Sequence, residues 1–380
     1  MTHAPASIEE ASSVFRDLAA KGRTLGITGA SAPGGPASGP VDEIVSTRLL
    51  NGIVDYVPAD QIVTVEAGAT IARLQATLRE CKQRLALDPP AAEHTTVGGT
   101  VATASYGPLR TRYGTARDLI VGMTIVRADG TVAHGGGKVV KNVAGFDIPK
   151  LMAGTHGTLA MIGTVTFRLH PLPEAATQVV FPACDPAALR ALVTTMTQAQ
   201  LEPSAVYALY DGSAYACAIR FEGFPAGVAA QRATLLRLAQ REHGEDATLE
   251  SEHEAARTGG ALKIKIAAAA SMVEALHDEG IVPLHTALAR ARTVVYPSIA
   301  TAFISGDCDD VASVLRALKA ARAWAERAGG TLIVEEAPAA IRAAFDPWGS
   351  PPPSFALMRA LKDRFDPSHR LNPGGFVGGL

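Results

Sequence analysis

Three glycine-rich clusters before residue 140 hold the residues best suited to chemistry. They are the run from Gly29 through Pro33-Gly34-Gly35-Pro36, the patch Thr96-Val97-Gly98-Gly99, and Gly135-Gly136-Gly137-Lys138. Glycine lets backbone approach a ligand closely and lets successive N–H groups converge on an anion. Three such clusters suit one large ligand touched at several points, and a diphosphate fits that need through charge-assisted N–H bonds. A dinucleotide also needs apolar walls, which the flanking Val, Ile and Leu runs provide. Glycine and proline clusters equally mark tight surface turns, and composition does not separate the two readings. There is no G-x-x-x-x-G-K-[ST] and no G-x-G-x-x-G opening a helix after the first strand, so the usual ATP and nicotinamide signatures are missing.

The elements that must position these clusters follow from periodicity. Ser7 followed by Glu10 is a capping-box pattern, and Ile8, Ala11, Phe15 and Leu18 recur at helical spacing up to Gly22. A strand over 24–28 runs into the first glycine loop. Short apolar runs at 48–50, 53–57 and 62–66 lead to a Thr70-capped helix carrying Ile71, Leu74, Leu78 and Cys81. A loop-rich region spans 88–118, a strand 119–127, a hairpin turn Asp129-Gly130, a short helix 147–153 and a strand 158–169. Pro171 and Pro173 mark a boundary. Beyond it, strands over 178–182, 204–209, 214–221, 293–304 and 331–335 alternate with helices over 186–198, 226–242 and 311–328, an α+β layer. A helix over 354–365 precedes the tail Asp366-Pro367 to Leu371-Asn372-Pro373-Gly374. The expected division is 1–173, 174–340 and 341–380, the last packing back on the first.

The 380 residues are enough for two domains with real cores. Lys+Arg is 35 against 37 Asp+Glu, a net charge of −2, so nothing calls for a nucleic-acid partner or an anionic membrane. Cys81, Cys184, Cys217 and Cys308 are widely spaced with no C-x-x-C, which argues against an iron–sulfur cluster or structural zinc and for reduced thiols. The N-terminus lacks a basic n-region and an apolar h-region, and no apolar run is long enough to span a bilayer. The expected location is cytoplasmic, reaching the inner membrane at most through partners. His243 and His253 lie among Glu242, Glu245 and Glu252, but such a charge-rich stretch is usually solvated, so no metal is expected.

Taken in order, Thr28-Gly29, residues 96–103, Arg112-Tyr113-Gly114, residues 117–122, Lys141 to Asp147 and residues 151–162 (LMAGTHGTLAMI) resemble the vanillyl-alcohol oxidase (PCMH-type) family of FAD-binding proteins. The ending Phe365-Asp366-Pro367 with Leu371-Asn372-Pro373-Gly374 is similar to that family's C-terminal signature. The lysine–asparagine patch followed by LMAG-x-x-GTL is most similar to the short FAD-binding subunits of glycolate oxidases.

The resemblance implies an α+β chain with a two-subdomain FAD-binding domain and a smaller α+β cap domain. It implies that backbone from Thr28, Gly29, Ala30 and Ser31 holds the pyrophosphate. Pro89, Thr96, Val97, Gly98, Gly99, Thr103 and Ser105 would line the cofactor, and Asp118 would fix the second cradle. Gly157, Thr158 and Ile162 would meet the adenine side, and Asn372 would return from the tail to the flavin edge. Arg112 and Tyr113, with Tyr106, are candidates for the flavin wall. Lys138 or Lys141 would place positive charge near the ring and stabilise an anionic reduced flavin. His94 is a weaker candidate, and His156 fits a structural role. The first loop is poorer in glycine than is usual for the family and has no histidine, so noncovalent FAD is expected. The long hydroxy-acid-oxidising members carry a histidine-rich metal patch in the cap, and none of the ten histidines here forms it. The implied role is a flavin subunit passing electrons to a longer FAD-binding catalytic subunit and an iron–sulfur subunit. A self-sufficient 2-hydroxy-acid dehydrogenase, a scaffold that has lost FAD, and a small FAD reductase using NADPH remain open.

Overall fold

The computed structural model describes residues 1–29, 39–137, 146–240 and 249–380. They divide into two compact units. The first comprises Met1–Gly107, Tyr113–Leu172 and Ser350–Leu380, and the second Pro108–Arg112 and Pro173–Gly349.

The first unit opens with the helix Ile8–Ala20, capped as its sequence predicts: Ser7 Oγ accepts the Glu10 N–H at 3.1 Å. The Glu10 carboxylate reaches back one residue further than the standard box, to the Ala6 N–H at 2.8 Å. The helix buries Ala11, Phe15 and Leu18 against Leu25, Val45, Val126 and Met161. Strands Thr2–His3, Glu43–Ser46 and Leu25–Thr28 form a small parallel sheet. The C-terminal tail extends it, because Leu371 bridges Leu25 in parallel, with Leu25 N–H to Arg370 O at 2.7 Å and Asn372 N–H to Leu25 O at 2.8 Å.

A five-stranded antiparallel sheet follows, in the order Ile53–Val57, Ile62–Glu66, Ala160–Arg168, Ile120–Arg127 and Val132–Gly136. Its inward residues Val63, Val65, Ile125, Ile162 and Val165 pack on Ile71, Leu74 and Leu78 of the helix Ile71–Glu80 and on Val97 and Val101. The hairpin turn forms at the expected place, with Gly130 at φ +82°. Residues 97–103 differ from the expected loop: they are the helix Val97–Thr103, which begins at Thr96 and ends at Ala104 in the left-handed region. Two adjacent glycines would disfavour a helix here by propensity. Packing overrides it, since a Cβ on Gly98 would lie 2.8 Å from the Ala67 Cβ.

The second unit is a seven-stranded antiparallel sheet in the order Ala175–Cys184, Tyr215–Gly223, Ala205–Tyr210, Ala289–Tyr296, Thr301–Asp307, Leu262–Ala267 and Thr331–Glu336. Helices Pro186–Gln198, Pro225–Leu238 and Val311–Arg327 bury Leu189, Leu235 and Leu318 in the core that the sheet lines with Val179, Ile219, Ile264 and Ile304. The apolar run over 293–304 is two strands rather than one. Pro297–Ile299 turns the chain, and Ala300 at φ +41° starts the return. The sheet also gains Leu262–Ala267, whose alternation (Leu262, Ile264 and Ile266 inward, Lys263 and Lys265 outward) is partly hidden by two lysines.

Part of the charge-rich stretch around His253 is a helix, Glu250–Thr258, which buries His253, Ala256 and Arg257. Arg257 Nη1 donates to the Tyr296 hydroxyl at 3.0 Å, and His253 Nε2 lies 2.8 Å from the same oxygen. The arginine thus occupies a lone pair of Tyr296, leaving the phenol proton to point at an unprotonated imidazole. Burial holds His253 far below its ordinary value, at about 3, and the Arg257 charge adds to the effect.

Two outcomes follow. Gly68→Ala drives a Cβ into the Thr47 and Leu50 carbonyls. It should cost roughly 2–3 kcal/mol in denaturant unfolding, and an unchanged midpoint contradicts the packing described. His253 is neutral when folded but takes a proton below its ordinary value of 6.5 when unfolded. Its contribution is therefore intact above that pH and shrinks as pH falls toward about 3. At two units below the ordinary value the loss is roughly 2–3 kcal/mol. His253→Gln should flatten stability against pH in this window relative to wild type, and parallel curves refute the assignment.

Candidate cofactor site

The residues assigned to the cofactor come from well-separated chain segments, and the first unit draws several of them together. Gly29 follows directly on the strand Leu25–Thr28 and packs on Thr96, whose methyl would lie 3.2 Å from a Cβ at that position. Thr96 Oγ1 caps the next helix by accepting the Gly99 N–H at 3.1 Å. The loop over 154–158 sits on the end of that helix, with Gly154 N–H to Val101 O at 2.9 Å and His156 N–H to Ala102 O at 2.8 Å.

Asn372 closes the arrangement from the tail. Its Oδ1 accepts the Ile27 N–H at 2.8 Å and its Nδ2 donates to His156 O at 2.6 Å. It sits at φ +41°, a conformation that asparagine tolerates better than most residues. A Cβ on Gly157, at φ +71°, would come 2.7 Å from Asn372 Nδ2, so only glycine fits between the asparagine and the loop. Strand Leu25–Thr28, helix Val97–Thr103, the 154–158 loop and the tail are thereby fixed to one another.

The donor set discriminates among the glycines. The N–H groups of Val97, Gly98 and Gly99 are already spent on Ala69 O, Ala67 O and Thr96 Oγ1. Those of Gly29 and Gly157 have no acceptor among the described residues. Gly157 is buried, and a buried N–H without a partner is rare in a folded chain. Two backbone donors left over in this way fit an anionic ligand such as a dinucleotide diphosphate. Thr103 Oγ1 itself donates to Gly99 O at 2.8 Å.

The remaining assigned residues have other partners. Pro89 is buried in the 88–95 loop, where Thr95 Oγ1 donates to Pro90 O at 2.8 Å. Thr158 Oγ1 donates to Thr155 O at 2.7 Å, and Ile162 is a core residue of its strand, opposite Ile125. Asp118 accepts the Thr115 N–H and hydroxyl at 2.8 and 3.0 Å, fixing the turn before Ile120–Arg127. Tyr113 OH accepts from Arg84 Nη2 at 2.8 Å, and its ring lies 4.8 Å from that of His170. Arg112 belongs to the second unit, where its guanidinium pairs with Glu202 at 2.9 Å. His94 is exposed, and the His156 ring stacks on Phe376 at 5.4 Å. Ala30, Ser31, Lys138 and Lys141 lie outside the described residues, as do Glu242, His243 and Glu245. Among the described residues no three His, Cys, Asp or Glu side chains converge as a metal site.

Residues 1–136 match the FAD binding domain family, and residues 298–375 match the C-terminal domain of FAD linked oxidases. In these two stretches the chain is similar to FAD-linked oxidoreductases. The chain is 31% identical over 205 residues to glycolate oxidase subunit GlcE of Escherichia coli, covering 53% of this chain and 56% of that one. It is 34% identical over 161 residues to a probable mitochondrial D-lactate dehydrogenase of Danio rerio, covering 41% and 32%. It is 31% identical over 181 residues to a D-lactate dehydrogenase of Archaeoglobus fulgidus, covering 47% and 40%. These matches span about half or less of each relative's own length. In fold it is similar to alkyldihydroxyacetonephosphate synthase, with TM-score 0.73, 17% identity, and 98% of this chain and 76% of that one covered. FAD is the cofactor of the family, and the paired donors of Gly29 and Gly157 fit it.

Asn372 and Lys362 extend what spacing alone shows. The tail motif marks Asn372 but not that its two amide ends clamp Ile27 to His156. Lys362, described below, carries no signal beyond its position four residues before Asp366. Asn372→Ala should cost roughly 2–3 kcal/mol of stability, for two lost buried hydrogen bonds. It should also release FAD on desalting, followed as the flavin-to-protein absorbance ratio. Retention equal to wild type removes Asn372 from the site.

Proposed function

We propose that the chain is the FAD-binding subunit of a glycolate or other 2-hydroxy-acid oxidising complex, with noncovalent FAD, passing electrons to partner subunits. The observation that carries this reading is the similarity to glycolate oxidase subunit GlcE over half of this chain, and the clamped site at Ile27, His156 and Asn372 supports it. When bound, FAD supplies the two-electron acceptor chemistry. The chain's own residues bind and orient it: Gly29 and Gly157 offer backbone donors, and Asn372 holds the two loops at fixed spacing. The partners that suit this role are a longer flavin-bearing catalytic subunit and an iron–sulfur subunit, since the four cysteines of this chain are widely spaced with no C-x-x-C. No helix among the described residues is long and apolar enough to cross a membrane, so membrane attachment in this reading runs through partners.

Similarity to the D-lactate dehydrogenases favours a second reading, in which the chain oxidises a 2-hydroxy acid unaided. Anaerobic titration of the purified, FAD-loaded chain separates the two. The subunit reading expects the visible flavin band to persist with glycolate or D-lactate alone and to bleach when the co-purifying subunits are present. Bleaching by the isolated chain at catalytic rates establishes the second reading instead. A colourless chain that stays apo with added FAD defeats both.

A further inference from the structure

The helix Phe355–Phe365 carries one lysine that does not reach solvent. Lys362 Nζ donates to Asp366 Oδ2 at 2.8 Å, to Thr158 O at 2.7 Å and to Leu371 O at 2.9 Å. Its side chain is 1% exposed and that of Asp366 is fully buried. An ammonium has three N–H donors, and all three are used. Asp366 Oδ2 also accepts the Leu371 N–H at 2.7 Å, so the N–H and C=O of Leu371 are both held by this ion pair. Asp366 Oδ1 is buried and has no partner among the described residues, leaving the carboxylate dependent on Lys362 and Leu371 alone.

Each group that Lys362 holds is one step from the cofactor site. Thr158 follows Gly157, whose N–H is the buried donor. Leu371 precedes Asn372, whose amide spans Ile27 and His156. We propose that Lys362 is a positioning residue for FAD: by binding Thr158 O and Leu371 O with one buried ammonium, it sets the distance between the 157–158 backbone and Asn372. The lysine does not touch the cofactor. This rests on the reading that FAD occupies the site at Gly157 and Asn372.

The test compares FAD affinity with fold stability in the full-length chain. Lys362→Met alone strands a buried carboxylate and should unfold readily. Lys362→Met/Asp366→Leu removes both charges, and replacing a buried pair by apolar side chains is often neutral or stabilising. The expected result is a double variant that still unfolds cooperatively, at a midpoint lowered by the loss of the donor to Thr158 O and Leu371 O, yet binds FAD about ten- to hundredfold more weakly by flavin-fluorescence titration, as for one or two displaced backbone donors. His369→Ala, which breaks the exposed pair with Asp363, should leave the affinity unchanged. A stable double variant with wild-type affinity overturns the proposal. Should the double variant not fold, amide exchange of the wild type with and without FAD decides. Protection gained at Leu371 and Asn372 together with Gly157 supports the proposal, and an unchanged tail overturns it. A wild-type chain that binds no FAD overturns the cofactor reading itself, and this positioning role with it.

Discussion

The first unit depends on an ion pair that ordinary electrostatics disfavours. Lys362 and Asp366 are both withdrawn from water, and desolvation pulls the lysine below its usual value while the aspartate beside it opposes that pull. Taking two charges out of water costs several kcal/mol per ion, which their mutual attraction rarely exceeds by much. What makes the site favourable is that the ammonium satisfies two backbone carbonyls in addition to the carboxylate. Those carbonyls lie outside any ladder and would otherwise be buried without donors. The pair therefore joins the C-terminal segment to the 154–158 loop: removing Lys362 leaves a carboxylate and two carbonyls unmatched, and removing Asp366 leaves an ammonium and the Leu371 N–H unmatched.

Much of this unit is legible in the sequence, because its elements obey local rules. Ser7 caps the first helix, Thr70 the second, and Asp129-Gly130 turns the hairpin, each where the pattern places it. The family resemblance holds in both the family matches and the fold. The glycine patch at 96–99 is harder to interpret. It reads as a loop of free amides, whereas it starts a helix whose first N–H groups are bonded to Ala67, Ala69 and Thr96. Gly98 is there to let helix backbone lie against Ala67. A glycine required for protein–protein approach and one required for ligand approach look identical in a single sequence, and only the hydrogen-bond partners separate them.

Lys362 is illegible for a related reason. A lysine four residues before an aspartate on a helix normally describes an exposed pair of small worth. Burial decides otherwise, and burial is created by residues 158 and 371, which local periodicity cannot see. The second unit shows the same effect. Lys263 and Lys265 interrupt the apolar pattern of a strand, and the charged segment before Gly259 reads as solvated. There the amphipathic helix Glu250–Thr258 buries its histidine and one arginine against Tyr296 and Phe303, with the Arg257 guanidinium 3.6 Å from the Phe303 ring centre.

A common device links these cases. Where distant segments of the chain meet, a buried cation collects their carbonyls. Lys362 takes those of Thr158 and Leu371, Arg370 those of Arg23 and Ala128, and Arg322 those of Leu332, Asp346 and Pro347. A guanidinium or ammonium binds several acceptors from one point, so it can fix segments whose geometry fits no ladder. Irregular segments run where the candidate cofactor site has glycine and asparagine backbone in left-handed conformations, as at Gly157 and Asn372. Ladder hydrogen bonding would force that backbone to be extended. Cation anchors remove this constraint, and they let distant pieces of one chain meet at a site with the precision that a rigid cofactor requires.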